Sequence, residues 1–289
     1  MIARLLLIAA LAVTAFSQKA IIPSSPDWTK PFPPFKIIGN VYWVGTYDLS
    51  TYLITTPAGN ILINSGVEST VPQIQASVEK LGFKLSDTKI LLAMHGHWDH
   101  VAGLAELKRL TGAKMIMSEA DTELLESGGR SDFYFGESPE ALFPPVKVDQ
   151  KLKDGDKVAL GGVELTARMH PGHTKGSTTF LFDVREAGKT YHVALVNLPR
   201  INIGVTVSGM PKYPGIAEAY AQTFRQLRAL DIDIWLPAHG SHFDLHDKIK
   251  AGDPYSPERF VDPAGLRRAL DRLETIYRDQ LARERAAKK

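Results

Sequence analysis

The sequence predicts an α/β protein with an αββα sandwich architecture, in which two mixed β-sheets pack together and helices cover their outer faces. Strand-like segments fall into two groups along the chain, and each group is followed by segments with helical spacing. The 289 residues contain no internal repeat, low-complexity stretch or dividing linker. A chain of this length can bury one large core, so we expect a single domain after the N-terminal segment.

The first group of strands follows a proline-rich segment, residues 23–34, which we expect to be extended. Frequent Val, Ile and Tyr, with Gly or Asn between the runs, predict a meander of antiparallel strands. Apolar spacing then predicts a helix over 70–81 and a buried strand over 90–94. The remaining predicted elements of this half are strands 35–38, 41–47, 51–55, 61–64 and 114–117 and helices 104–110 and 119–126.

The second group is predicted to contain strands 157–160, 163–169, 178–183, 191–196 and 232–236, with a helix over 216–230. A last helix is predicted to start at Asp262 and Pro263, because aspartate is a good N-cap and proline fits the first helical position. Its Arg-rich face is interpreted as solvated surface rather than a membrane-binding face.

Composition excludes several classes of function. The hydrophobic fraction of 44% and the charged fraction of 23% are typical of globular proteins. The 34 basic and 32 acidic residues give a formal net charge of +2. So small a net charge does not create the strong positive electrostatic field that attracts nucleic acid. Cysteine is absent, which excludes disulfides, thiolate metal sites and a cysteine nucleophile. Serine-hydrolase elbows, phosphate-binding loops and dinucleotide fingerprints are also absent.

The first residues have the pattern of an export signal. Arg4 precedes a nearly unbroken apolar run, residues 5–16, and small side chains follow where a signal peptidase would cut. Twelve apolar residues are too few to span a bilayer core of about 30 Å as a helix. We therefore expect residues 1–17 to be removed, leaving 18–289 as a periplasmic domain without stable membrane contact. An uncleaved anchor or a buried N-terminal helix is the alternative.

Metal-binding side chains are concentrated directly after the predicted strand 90–94. His95, His97, Asp99 and His100 fall within six residues. Residues two apart on an extended chain point to the same side, so the first two histidines can hold one ion, and a turn after Trp98 can give the others a second. Imidazole and carboxylate suit zinc, and burying four titratable groups without a partner is costly.

Two later segments each place histidines at the end of a predicted strand. His170 and His173 follow the strand 163–169, and His239 follows the strand 232–236. Strand ends that meet at one edge of the sheets would bring these segments to the first motif. The residues alone do not decide which of the two histidines at 170 and 173 is a ligand.

The order and spacing of these motifs resemble those of the metallo-β-lactamase superfamily. The resemblance rests on His-X-His-X-Asp-His, then Gly-His-Thr-X-Gly-Ser, then Pro-Ala-His-Gly, and extends roughly over residues 28–247. It implies the metallo-β-lactamase fold and two zinc ions per chain. Carried over, one zinc ion is held by His95, His97 and His173, and the other by Asp99, His100 and His239.

Within that superfamily the chain resembles the subclass B3 β-lactamases. The lactone-hydrolysing and thioester-hydrolysing branches place a bridging aspartate at the end of the strand that matches 191–196, where this chain has Asn197. Asp233 cannot replace it, because six residues of strand put it roughly 20 Å from His239. The other β-lactamase subclasses use a cysteine ligand, which this chain lacks.

The resemblance implies a zinc-dependent β-lactamase that opens penicillins, cephalosporins and carbapenems through a metal-bound hydroxide and confers antibiotic resistance. Asp99 is expected to be catalytic as well as a ligand, because it can orient the hydroxide and relay a proton. The expected partner is the small-molecule β-lactam, with no nucleic acid, and the chain is expected to be a monomer. A lactonase, a thioester hydrolase or a non-catalytic zinc-binding relative remains the alternative.

Two departures from the subclass concern the substrate and the ligand loop. Serines often found near positions 197 and 199 are replaced here, so Asn197, Arg200 and Lys212 are the predicted substrate-binding residues. Asn64 stands where the superfamily usually has an aspartate behind the ligand loop. Loss of that negative charge is expected to lower metal affinity.

Overall fold

The computed structural model describes residues 20–288 and confirms the predicted sandwich of two mixed sheets with helices outside. The predicted export signal, residues 1–17, lies outside the described residues. A seven-stranded sheet comes from the first half of the chain, and a five-stranded sheet comes from the second half. In the part of the chain that is described, no helix combines the length and apolar character needed to cross a membrane.

The first sheet runs in chain order from β1 to β7. Its first four strands pair antiparallel, and from β4 onward the pairing is parallel. Parallel neighbours place their carboxyl ends at one edge of the sheet, which is where the first histidine motif leaves it. The strands are β1 (Phe35–Ile38), β2 (Val41–Trp43), β3 (Tyr52–Thr56), β4 (Gly59–Ile63), β5 (Thr88–Leu92), β6 (Lys114–Ser118) and β7 (Gln150–Leu152).

The second sheet has the order β12-β11-β10-β9-β8. Only β11 and β12 pair in parallel, so their carboxyl ends lie side by side. The strands are β8 (Lys157–Leu160), β9 (Val163–Met169), β10 (Thr178–Glu186), β11 (Lys189–Val196) and β12 (Ile234–Pro237).

Alternating strand residues divide the core into two layers. In β4, Ile61 and Ile63 belong to the apolar cluster shared with the second sheet, whereas Leu62 belongs to the cluster under the first helices. A strand buried on both faces needs such an unbroken apolar run. The helices are α1 (Val71–Lys80), α2 (Trp98–Val101), α3 (Leu104–Thr111), α4 (Thr122–Glu126), α5 (Ile216–Arg228), α6 (Leu245–Lys248) and α7 (Gly265–Ala286).

Several elements differ from the sequence prediction: β2 ends at Trp43 rather than at residue 47, β5 covers 88–92 rather than 90–94, and the short helices α2 and α6 were not predicted. The strand β7 was not predicted, because three residues with two polar side chains carry no strand pattern of their own. The last helix begins at Gly265 rather than at Pro263. The Asp262 carboxylate binds the guanidinium of Arg268 at 2.8 Å instead of capping the helix. The first helical turn therefore begins further along the chain, at Gly265.

Candidate metal centre

The three histidine segments meet in one cleft at the carboxyl ends of β5, β9 and β12. His95 and His97 lie on the loop after β5, while Asp99 and His100 lie on α2. All four side chains are buried. A short helix after the loop turns the chain, so that the second pair of side chains reaches a position beside the first.

Two residues that directly follow β4 hold the ligand loop in place through side-chain and backbone hydrogen bonds. The Asn64 side-chain oxygen accepts a hydrogen bond from the Met94 amide at 3.0 Å. The Ser65 amide donates to the His100 carbonyl at 2.8 Å, and its hydroxyl accepts from the Gly103 amide at 3.0 Å. Asn64 thus lies behind the loop. Its neutral side-chain amide provides the oxygen that accepts the hydrogen bond from the Met94 amide.

The first ligand set consists of His95, His97 and His173. Their candidate ligand atoms lie within 4.8 Å of one another. His97 Nδ1 is 3.1 Å from His173 Nε2. Both ring nitrogens of His95 are buried and have no hydrogen-bond partner among the described residues. A buried imidazole without a partner is costly, and a bound cation would satisfy one of the two nitrogens.

The second ligand set consists of Asp99, His100 and His239. His100 Nε2 lies 3.1 Å from His239 Nε2 and 3.2 Å from Asp99 Oδ2. His239 Nε2 is 3.4 Å from the same carboxylate oxygen. The three ligand atoms therefore form a nearly equilateral triangle. His95 also lies within 4.8 Å of Asp99 and His100, so the two ligand sets are adjacent.

These distances fit zinc. Bonds of about 2.0–2.1 Å in a tetrahedral site place neighbouring ligand atoms about 3.3 Å apart. All three pairs of the second set and the His97–His173 pair of the first set lie 3.1–3.4 Å apart, and the pairs with His95 lie within 4.8 Å. Three protein ligands in each set would leave a fourth position open, as in catalytic zinc sites. The residues present therefore could hold metal in each set.

Groups behind the ligands fix the orientation of their rings. His239 Nδ1 bonds the Asp48 carboxylate at 2.9 Å, and His173 Nδ1 bonds the Arg200 carbonyl at 2.8 Å. Asp132 Oδ2 lies 3.4 Å from His97 Nε2. Such outer contacts set which ring nitrogen faces the metal. Sequence reasoning missed both aspartates, because neither lies within a histidine motif.

A third missed residue, Asp121, connects two of the ligand segments. It is buried, and its carboxylate accepts hydrogen bonds from Gly96 N at 3.1 Å, Gly176 N at 2.7 Å and the Thr174 hydroxyl at 2.6 Å. Gly96 lies between His95 and His97, and Thr174 follows His173. One carboxylate therefore holds the loops that carry the whole first ligand set.

The electrostatics of the second ligand set favour a cation. Burial opposes charge on His239, but its hydrogen bonds to Asp48 and Asp99 prevail and raise the pKa of this imidazole to about 9. In the first ligand set, burial and then the neighbouring His97 lower the pKa of His173 to about 3, so this imidazole is neutral, as a metal ligand must be. A metal ion bound at His239 Nε2 beside Asp99 would replace the proton on that nitrogen, while Nδ1 keeps its bond to Asp48.

The cleft encloses about 300 Å³ and has apolar walls above a polar floor. Of the predicted substrate-binding residues, Asn197 and Arg200 line it. Lys212 does not, since it lies in a separate depression and contacts Glu137 at 3.5 Å. His170 also lies outside the cleft, where its Nδ1 bonds the Thr179 hydroxyl at 2.8 Å.

Comparison with known proteins gives a family match and several close structural relatives. The sequence model of one protein family, the metallo-β-lactamase superfamily, matches residues 45–186. A β-lactamase from Chitinophaga pinensis is 44% identical, with a TM-score of 0.88 over 90% of this chain and 98% of that chain. The class B3 di-zinc metallo-β-lactamase LRA-12 from an Alaskan soil metagenome is 44% identical, with a TM-score of 0.87 over 91% and 100% of the two chains.

More distant similarity connects the chain to another group of hydrolases. A hydroxyacylglutathione hydrolase from Rhodopseudomonas palustris (strain BisB5) is 28% identical over 133 residues. The match covers 46% of this chain and 42% of that relative, so it spans less than half of either protein. The two β-lactamases are thus similar over nearly their whole length at 44% identity, whereas a hydroxyacylglutathione hydrolase from Methylococcus capsulatus that covers 81% of this chain is only 24% identical.

Proposed function

Because this chain belongs to the metallo-β-lactamase superfamily, we propose that it is a zinc-dependent β-lactamase. It would hydrolyse the β-lactam amide of penicillins, cephalosporins and carbapenems and so confer resistance to these antibiotics. The observation that carries the proposal is the pair of adjacent ligand sets in a single cleft. Similarity to B3 enzymes over 91% of this chain supports it.

The positions of the carboxylates support a β-lactamase over a thioester hydrolase or lactonase. Among the described residues that line the cleft, the carboxylates are Asp48 and Asp99. Asp183 and Asp233 do not line the cleft and contact His192, which lies midway along β11. At the end of β11, where the other branches place a bridging aspartate, the chain has Asn197.

Zinc bound at the two ligand sets would lower the pKa of a coordinated water and polarise the lactam carbonyl. The chain's own residues would orient the reactants. Burial opposes ionisation of Asp99, but His100 and His239 prevail and hold its pKa well below the usual range. Asp99 is therefore ionised, and its other carboxylate oxygen, Oδ1, can accept a hydrogen bond from the attacking water and relay its proton.

Two residues of the cleft are suited to hold the substrate. Asn197 is 3% exposed, and its Nδ2 donor has no partner among the described residues. It can donate to an oxygen of the substrate as negative charge develops there. Arg200 also lines this cleft, and its guanidinium can bind the substrate carboxylate through paired hydrogen bonds.

The decisive experiment compares substrate classes with the purified zinc-loaded enzyme. We expect it to hydrolyse a penicillin, a cephalosporin and a carbapenem, to lose this activity with a chelator, and to ignore inhibitors that need an active-site serine. An acyl-homoserine lactone and a glutathione thioester serve as competing substrates. Efficient turnover of either one, with every β-lactam left intact, would refute the proposal.

The zinc content tests the ligand sets separately. We expect about two zinc ions per chain, since each set offers three ligands and one open position. His239→Ala should reduce the content to about one, because the second set would keep two ligands. His192→Ala, which removes an exposed histidine outside the cleft, should leave it unchanged. Natively folded wild-type protein with only trace metal by elemental analysis would contradict the two-zinc assignment.

We also propose that residues 1–17 are an export signal and that residues 18–289 form a single periplasmic domain. Arg4, the apolar run over residues 5–16 and the small side chains after it support this. Mass spectrometry of protein from the periplasmic fraction should find a chain that begins at or near Gln18. Intact residues 1–17 on a membrane-bound protein would be the opposite result.

A further inference from the structure

The mouth of the cleft is formed by segments that lie far apart in the sequence. Ile21 comes from the N-terminal segment, and Ile203 comes from the segment after β11. The hydroxyl of Tyr134 lies between them. It donates to the Ile203 carbonyl at 2.8 Å and accepts from the Ile21 amide at 3.4 Å. One phenol therefore connects the two sides of the cleft mouth.

Tyr134 is itself held from behind. Asp132 Oδ1 accepts hydrogen bonds from the amides of Tyr134 at 2.7 Å and Phe135 at 2.6 Å. The Phe135 ring lies 4.8 Å from the Tyr134 ring and 5.3 Å from the His97 ring, between centroids. The position of the phenol is thus fixed relative to the first ligand set.

The residue after Ile203 is a glycine, and its lack of a side chain leaves room for the Tyr134 hydroxyl. At Gly204 the backbone has φ +89°, and an added Cβ would lie only 2.1 Å from the Tyr134 hydroxyl oxygen. Both the left-handed conformation and the close approach require glycine. The contact between Tyr134 and the segment after β11 is therefore part of the fold of that segment.

The two joined residues form an apolar lip, which we define as Ile21 and Ile203. Their side chains are 50% and 70% exposed, although both line the cleft. Large apolar side chains exposed at the rim of a cleft are typical of a binding surface. Below the lip, Phe135 and Trp28 continue the apolar wall down to the ligand sets.

We propose that Tyr134 is a positioning residue that sets substrate preference, because its hydroxyl holds the apolar lip in place to bind an apolar substituent of the substrate. This inference rests on the proposed β-lactamase function. The substrate class it names is β-lactams that carry a large apolar acyl substituent. The phenol itself touches neither the lactam ring nor the ligand sets, so it acts through the lip.

Tyr134→Phe tests this with two substrates that share the penicillin nucleus. One carries a phenylacetyl group on its amine and the other has a free amine. Loss of the hydrogen bonds should raise KM for the phenylacetyl substrate about fivefold, while kcat stays within about twofold. Kinetics with the free amine should not change. Tyr255→Phe, which removes the hydroxyl of an exposed tyrosine outside the cleft, should leave the kinetics with both substrates unchanged.

Two further measurements keep the test decisive if Tyr134→Phe folds poorly. Ile203→Ala changes only an exposed side chain of the lip, and it should raise KM selectively for the phenylacetyl substrate. Hydrogen exchange of the peptide that contains Ile21 should accelerate in Tyr134→Phe. Equal effects on both substrates, or no effect on either, would overturn the proposal. Hydrolysis of neither substrate by the wild type would overturn the proposed function instead, and hydrogen exchange would still show whether the lip is held.

Discussion

Asp99→Ala is expected to lower the turnover of a β-lactam by about two orders of magnitude or more. The substitution removes one of the three ligand atoms of the second set. It also removes the ionised carboxylate that would orient the attacking water and take its proton. Since both losses act on the reacting atoms, kcat should fall much more than KM rises.

The control for Asp99→Ala is Asp87→Asn, which neutralises an exposed carboxylate at the opposite end of β5. Its turnover should equal that of the wild type. Steady-state kinetics with excess zinc in the assay separates lost chemistry from lost metal. A variant that keeps wild-type kcat under these conditions would show that Asp99 is not catalytic.

Asp121→Ala is expected to lower the free energy of unfolding by about 3–5 kcal/mol. The carboxylate accepts three hydrogen bonds in the interior, and alanine would leave two backbone amides and a hydroxyl without that acceptor. A buried donor without a partner costs about 1–3 kcal/mol. The loop between His95 and His97 would also lose its contact with the segment after His173.

Denaturant unfolding of the metal-free proteins measures this effect without a contribution from zinc binding. Glu123→Ala, at an exposed position of α4, is the matched control and should change the stability by less than about 0.5 kcal/mol. Asp121→Asn should have an intermediate stability, because its amide keeps one acceptor oxygen. Equal stability of Asp121→Ala and the wild type would show that these hydrogen bonds do not support the loops.

Local patterns in the sequence predicted the regular elements well. The strands Val163–Met169 and Lys157–Leu160 have the predicted boundaries, since alternating residues and flanking glycines determine both ends locally. The histidine segments could be predicted because they too are marked by a local sequence pattern. Each follows an apolar strand closely, and the structure brings His173 and His239 to the first motif in one cleft.

The residues behind the ligands could not be found in this way. Asp48 lies 191 positions before His239, and Asp121 lies 53 positions before Thr174, so no short motif connects them. Their roles depend on which loops the sheets bring together. Lys212 shows the reverse case, because its basic side chain suggested substrate binding but the fold places it in another depression.

The ligand sets also connect distant parts of the chain. A metal held by His97 and His173 closes a chain loop across 76 positions, and one held by His100 and His239 closes a loop across 139. A cross-link over about 100 residues restricts the unfolded chain by roughly 4–5 kcal/mol in loop-entropy terms. Disulfides provide such cross-links in many exported proteins, and this chain has no cysteine. Zinc ions bound at the two ligand sets would then connect the two sheets, and loss of zinc would lower the stability of the protein as well as the proposed activity.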